Sequence, residues 1–370
     1  MKIAVDVRSL MEGRLSGVEE YTINLLEALT RLDPRHEWHL FYNSWQKVSL
    51  PPFRGNVHIH GFHWPNKIFN AMQLALTQPR WDMLLRGMDL FFVPNMRLMP
   101  LSKRTPMVVT AHDLSFVRFP EFYSWQRRIW HQAMTPRTLF KRANRVIAVS
   151  QATAWDLEEL YGIKPSKVRV VHSGVKSGVV VGDKGAAVKK KYKLPDNFWL
   201  FLGVREPRKN IQALVQAYEI VATKTTSDLV IAGSSGWLGS KLQEMITNSP
   251  VRHRIHIPGF IAEEDKATLY AAADLFIYPS FYEGFGFPPL EAMLAGTPAI
   301  ISRTGALPEV AGEWATMIDP YNISEIAQVL HEFTEKKWTV SEATKQAISA
   351  KYSWDRTARE TLAILEEVCE

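Results

Sequence analysis

Short runs of apolar, β-branched and aromatic residues recur along this chain, separated by longer stretches in which apolar positions return at helical spacing. A run that is apolar at consecutive positions is a strand covered on both faces, and in parallel sheets crossover helices supply that cover. The pattern predicts strands near Lys2–Val7, His39–Tyr42, Val57–His60, Leu90–Pro94, Met107–Ala111, Val146–Ser150 and Val168–Val171. A second series is predicted near Trp199–Gly203, Leu229–Ala232, Ile255–Ile257, Leu275–Pro279, Ala299–Ser302 and Thr316–Asp319. The fold class is therefore α/β, with two Rossmann-like, doubly wound parallel-sheet domains. A stretch rich in Gly and small residues, Ser173 to Gly185, separates the series and places the domains at 1–174 and 175–352. Ligands of such sheets bind beyond the C-terminal strand ends, so two domains facing a central cleft are expected to share one site.

Composition narrows the class. The 370 residues are 46% hydrophobic, and no apolar stretch reaches the ~18 residues of a membrane span. Asp6 interrupts the first apolar run too early for a signal peptide, so a cytoplasmic location is expected. Cys369 is the one cysteine, which excludes an internal disulfide and a thiolate metal cage. Residues 1–175 carry 23 Lys+Arg against 14 Asp+Glu, while residues 176–370 carry 21 against 24. The first half is the basic one, which suits an anionic partner.

The chemistry concentrates after the predicted strand at Leu275–Pro279. There Tyr278-Pro279-Ser280-Phe281-Tyr282-Glu283-Gly284-Phe285-Gly286-Phe287-Pro288-Pro289-Leu290-Glu291 runs from strand through a Gly-x-Gly turn into a helix opened by proline. Outward backbone N–H groups at such a turn suit a diphosphate, and Glu283 and Glu291 are placed to hold other parts of the same ligand. The third glycine of a dinucleotide fingerprint is missing, which sets NAD aside. After Trp199–Gly203, Arg208 and Lys209 follow a proline turn and offer a guanidinium and an ammonium to phosphate oxygens. His112 follows Met107–Ala111 at a ligand-binding strand end. Asp-x-Asp, the metal–diphosphate clamp, is absent, as is a Gly-x4-Gly-Lys-Ser/Thr loop.

The segment Glu283 to Pro298 resembles the signature of the retaining glycosyltransferases of family four, which have the two-domain GT-B architecture. Gly203-Val204-Arg205-Glu206-Pro207-Arg208-Lys209-Asn210 is similar to the family's basic donor-phosphate segment, and Gly305 to Val310 to its glycine-rich loop. Gly13 to Gly17, before a helix with Tyr21, Asn24 and Leu25, resembles its N-terminal loop, and His112-Asp113 and Val149-Ser150 match in place. The resemblance implies an N-terminal acceptor domain, a C-terminal nucleotide-sugar domain, and a last helix, 353–370, that crosses back to the first. It implies donor contacts from Gly17, Arg208, Lys209, Glu283, Gly284, Phe285, Gly286 and Glu291, with Glu291 on the ribose and Glu283 on the hexose. His112, Glu283, Arg208 and Lys209 are the implied catalytic set, working without metal or other cofactor in a front-face, retaining transfer. The Glu-Pro-Arg-Lys-Asn stretch is similar to that of bacterial mannosyltransferases of surface polysaccharide assembly. GDP-mannose is thus the expected donor, before a UDP-hexose, and a glycan or lipid-linked hydroxyl the expected acceptor.

Two rival readings stand beside it. His58 and His60 share one strand face and are candidate metal ligands, with Asp113 as a third, in a metal-dependent hydrolase. A noncatalytic sugar-nucleotide-binding protein is the other. Arg118, Arg127, Arg128, Arg137, Lys141, Arg142 and Arg145, interleaved with Phe119, Phe122, Tyr123, Trp125 and Trp130, suit the anionic inner face of a membrane. No nucleic-acid-binding signature accompanies them.

Overall fold

The structure is a computed structural model that describes residues 1–12, 17–45, 48, 50–176, 184–236, 239–336 and 338–370. Two compact units form, one from Met1–Gly174 with Tyr352–Glu370 and the other from Val175–Lys351. The small-residue stretch between Ser173 and Gly185 lies largely outside the described residues, at 177–183.

The first unit holds β1 (Lys2–Asp6), β2 (Glu37–Asn43), β3 (Val57–Phe62), β4 (Leu90–Val93), β5 (Met107–Ala111), β6 (Arg145–Ala148) and β7 (Val168–Val170). The second holds β8 (Phe198–Leu202), β9 (Asp228–Ala232), β10 (Ile255–Gly259), β11 (Leu275–Tyr278), β12 (Ala299–Ser302) and β13 (Thr316–Ile318). Each strand predicted from the apolar runs is present, with ends moved by a residue or two. The sheets are ordered β3-β2-β1-β4-β5-β6-β7 and β10-β9-β8-β11-β12-β13. All pairings are parallel, as continuous apolar runs such as Phe198-Trp199-Leu200-Phe201-Leu202 require.

In each sheet the chain winds outward through three strands, returns to the middle, and winds the other way. The reversal falls between β1 and β4 in the first sheet and between β8 and β11 in the second. The loops leaving adjacent strands there diverge to opposite faces and open a crevice at the C-terminal strand ends.

In the first unit, Phe41, Phe69, Trp81, Phe91, Met107, Phe140 and Leu157 belong to one buried cluster. The helix Trp354–Cys369 starts at Ser353, whose side chain accepts from the Arg356 N–H, and it buries Ala358, Thr361, Leu362 and Leu365. It packs on the helix Gly17–Leu32 and beside β4, β5 and β6. Burying Leu362 and Leu365 contributes about 1.5–3 kcal/mol each. Gly174 sits against its start, where an added Cβ would lie 2.4 Å from the Trp354 nitrogen.

Candidate active site

The reversal point of the second sheet collects the residues that the motifs single out. β8 exits into a 3-10 turn, Pro207–Lys209, and β11 exits into the Gly-rich segment before the helix Phe287–Leu294. The Phe281 N–H donates to the Arg208 carbonyl at 2.9 Å, so the two exits are tied backbone to backbone. Across that tie the Glu283 carboxylate accepts from Lys209 Nζ and from Arg208 Nη1, both at 2.7 Å. Lys209 Nζ also donates to the Tyr278 hydroxyl at 2.6 Å, and Arg208 Nη1 to the Tyr282 carbonyl at 2.7 Å. Arg208 Nη2 and Nε reach Glu206 Oε1 at 2.7 and 3.1 Å.

These four charged groups balance, with two cations against two carboxylates, and Glu206, Lys209 and Glu283 are buried. Burial opposes ionisation of Glu283, but Arg208 and Lys209 outweigh it and bring the carboxyl down to about 2. Burial lowers the Lys209 ammonium from its usual range, with the Arg208 charge acting in the same direction, while Glu283 opposes both. Burial raises the Tyr278 hydroxyl well above its usual value, so it stays protonated. Sequence reasoning did not find Glu206 or Tyr278, which hold Arg208 and Lys209 respectively. The cations expected to meet a diphosphate thus already share Glu283, the residue expected to hold the sugar.

Gly284, Phe285 and Gly286 form a buried turn, with Phe285 packed on Phe287 at 5.0 Å between ring centres. Gly286 precedes the helix at φ 106°, and a Cβ there would lie 2.6 Å from Leu307 Cδ2. Only glycine takes that backbone without strain. Pro288 and Pro289 occupy the first turn and carry no N–H, so anion-binding amides are confined to the turn and the first and later helical residues. Gly305 stands at φ 60° with its Cα over the Glu283 backbone, where a Cβ would come within 2.9 Å of both N and O. The Ala306 N–H donates to the Glu283 carbonyl at 3.0 Å, which fixes the Gly305–Val310 loop beside the cluster. Glu291, half-buried, accepts from the Tyr270 hydroxyl at 2.8 Å. Burial raises its carboxyl above the ordinary value, against the opposing charge of Lys266.

In the first unit, His112 leaves β5 with Nε2 donating to the Pro94 carbonyl at 2.8 Å, which makes Nδ1 the acceptor of the ring. Its edge meets Tyr21, 4.7 Å between ring centres, and burial lowers its pKa, so the imidazole is neutral near pH 7. The reversal point of this sheet carries a feature unread in the sequence. Asp6, at the end of β1, is gripped by Arg8 through Nε at 2.9 Å and Nη2 at 2.7 Å, and Arg8 Nη2 also donates to the Leu98 carbonyl at 2.8 Å. The signal was an acid ending an otherwise apolar strand. Gly17 opens the helix Gly17–Leu32, while the loop before it, 13–16, lies outside the described residues. Ser150 caps the helix Gln151–Tyr161 by accepting from the Thr153 N–H at 3.1 Å.

Asp113 does not join the histidines, because Ser115 holds it through N–H at 3.0 Å and Oγ at 2.6 Å. His58 and His60 meet β2 instead: His60 Nε2 lies 2.9 Å from His39 Nδ1, and the His39 and His58 rings stack at 4.8 Å. Much of the basic stretch is engaged internally, Arg118 with Asp156 at 2.8 Å and Arg145 with Glu367 at 2.7 Å. Trp125, Ile129 and Trp130 on the helix Trp125–Ala133 face solvent, 67%, 56% and 47% exposed. Among the described residues no helix is long and apolar enough to cross a membrane.

Residues 15–177 match the family described as Glycosyltransferase Family 4, and residues 186–354 match Glycosyl transferases group 1. An O-antigen chain mannosyltransferase B from Escherichia coli is 30% identical over 262 residues, covering 69% of this chain and 68% of that protein. A serotype-specific mannosyltransferase from Escherichia coli is 31% identical over 261 residues, covering 68% of this chain and 32% of the relative. The alignments thus span about two thirds of the first relative and about a third of the second. Among solved structures, Anabaena HepE in complex with UDP-glucose superposes with a TM-score of 0.74 at 20% identity, covering 99% of this chain and 100% of that one. WaaG, a glycosyltransferase involved in lipopolysaccharide biosynthesis, superposes with a TM-score of 0.66 at 16% identity, covering 97% of this chain and 95% of that one. The fold is of the GT-B type, and the chain belongs to the group 1, family 4 glycosyltransferases.

Proposed function

We propose that the chain is a retaining mannosyltransferase that moves mannose from a nucleotide diphosphate donor to a hydroxyl of a glycan or lipid-linked acceptor in surface polysaccharide synthesis. The observation that carries this reading is the Arg208–Lys209–Glu283 cluster at the reversal point of the second sheet, supported by the mannosyltransferase relatives.

The neutral charge balance of the cluster suggests how a donor enters. The diphosphate takes the place of Glu283 beside Arg208 and Lys209, and the released carboxylate accepts a hydroxyl of the hexose. While paired with Arg208 and Lys209, at a pKa of about 2, Glu283 is a carboxylate that only accepts hydrogen bonds. Glu291 receives the ribose hydroxyls, the amides of Phe285 and Gly286 face phosphate oxygens, and Gly284 and Gly17 let backbone approach the donor. His112, neutral with Nδ1 as its acceptor, takes a sugar hydroxyl.

In transfer, the bond from the anomeric carbon to the phosphate oxygen breaks and a bond to the acceptor oxygen forms on the same face. The acceptor proton passes to the departing diphosphate, whose charge Arg208 and Lys209 hold. These two side chains supply the positive charge, so the transfer proceeds without a metal. GDP-mannose is the favoured donor, before a UDP-hexose. We place the protein in the cytoplasm, at the inner membrane face, with Trp125, Ile129 and Trp130 as the contact.

The test is incubation of purified protein with a panel of nucleotide sugars, with and without chelator, measuring donor binding and nucleotide release. Selective release of GDP from GDP-mannose, undiminished by chelator, is expected. Failure to bind any nucleotide sugar would overturn the assignment.

A further inference from the structure

A second cluster of chemical groups lies in the first unit, on the two strands at the β3 edge of its sheet. The register pairs His39 of β2 with His58 of β3, and Phe41 with His60. Alternation along each strand then puts Glu37, His39, His58 and His60 on one face. One ligand atom from each of Glu37, His39 and His58 lies within 4.8 Å of the others. The three imidazoles stand side by side, with His39 at 4.8 Å and 19° from His58 and at 5.1 Å and 23° from His60.

His39 is the centre of the group and is only 8% exposed. Its Nδ1 is engaged by His60 Nε2 at 2.9 Å, whereas its Nε2 is buried without a hydrogen-bond partner. That nitrogen lies 3.5 Å from Glu37 Oε2, too far for a good hydrogen bond. The separation has another meaning. Two ligands about 2.0–2.1 Å from one tetrahedral ion stand about 3.4 Å apart. In the tautomer whose Nδ1–H donates to His60, Nε2 carries the lone pair toward Glu37 and His58, which is how a metal-binding histidine is set by its outer partner.

The geometry points to a divalent transition-metal site, with Glu37, His39 and His58 as ligands of Zn2+, water in the fourth position, and His60 orienting His39. Two imidazoles and a carboxylate suit zinc better than calcium or magnesium. Glu37 opens β2 and His58 is the second residue of β3, so the ion sits toward the N-terminal strand ends, opposite the end where such sheets hold substrates. Its role is to fasten the edge strand to its neighbour. The other His–carboxylate grouping, Asp33, His36 and Glu366, is occupied differently: Asp33 is bound by Arg35 at 2.5 Å, and His36 Nδ1 lies 3.4 Å from the Met1 amine.

The test is calorimetric titration of chelator-stripped, dialysed full-length protein with ZnCl2 alone. One saturable equivalent is expected. His58→Ala, at an exposed position that does not threaten folding, and Glu37→Gln should each weaken it at least ~10-fold, and His60→Gln by about 10–100-fold. His63→Ala, an exposed histidine on the same edge that contacts the Ser44 carbonyl, should leave the affinity unchanged. No saturable binding to the unmodified protein would overturn the site. So would binding that survives His58→Ala and Glu37→Gln, or that His63→Ala weakens equally.

Discussion

Replacing Glu283 by Gln keeps the shape of the side chain and removes its charge from between Arg208 and Lys209. The carboxyl falls from an ordinary 4.5 to about 2 in the folded chain, and at 1.36 kcal/mol per tenfold change in proton affinity this corresponds to about 3 kcal/mol. That figure matches the low end of the ~3–5 kcal/mol measured when one member of a buried ion pair is removed. For a unit of this size about 3 kcal/mol lowers the melting temperature by roughly 6–12 °C. The pH dependence sharpens the test. Because the folded pKa is depressed, the stabilisation is fully present above about 4.5 and is lost as the pH falls toward about 2. One pH unit below 4.5, at pH 3.5, it has dropped by about 1.4 kcal/mol, roughly half. Calorimetric scans of both proteins at pH 7 and pH 3.5 should therefore show a large gap that narrows on acidification. A variant melting within about 2 °C of the parent at pH 7, or a gap that does not change with pH, would refute the charge assignment.

Gly286→Ala puts a Cβ on a residue at φ 106° and against Leu307, and should cost about 1–3 kcal/mol with weakened GDP binding by titration. Unchanged stability and unchanged GDP affinity together would remove this turn from the donor site. Trp125→Ala combined with Trp130→Ala, both exposed, should leave the melting temperature unchanged and lower retention on anionic vesicles about tenfold or more, taking ~1.4 kcal/mol as a lower bound for the pair. Unaltered co-sedimentation of the double variant would rule out membrane contact through this helix, and equal binding of the parent to neutral vesicles would rule out a preference for anionic lipid.

What could be read from the sequence was what is written locally. Parallel strands buried on both faces are spelled as unbroken apolar runs, and Ala299–Ser302 and Met107–Ala111 form as predicted. The turn at Gly284–Gly286 and the helix opened by Pro288 were legible for the same reason. Partners chosen by register or by folding back were not legible. His58 was set beside His60 by alternation alone, while His39 and Glu37 joined them only once β2 and β3 had paired. The pairing of Arg208 and Lys209 with Glu283 depends on the closeness of two strand exits far apart in sequence, whereas Glu206 is only two residues from Arg208. The basic first half reads differently in three dimensions, because Arg8, Arg35, Arg118, Arg145 and Arg169 each face a carboxylate within the same unit.

The helix Trp354–Cys369 has a consequence for the order in which the protein is made. It covers part of the first sheet, yet it leaves the ribosome only after the whole of Val175–Lys351 has been synthesised. The nascent first unit therefore waits with the seat of Leu362 and Leu365 open while the second unit, continuous in sequence, emerges with all of its strands. Completion of the first fold is thus delayed until the second unit has been made, and that apolar seat stays uncovered in the meantime.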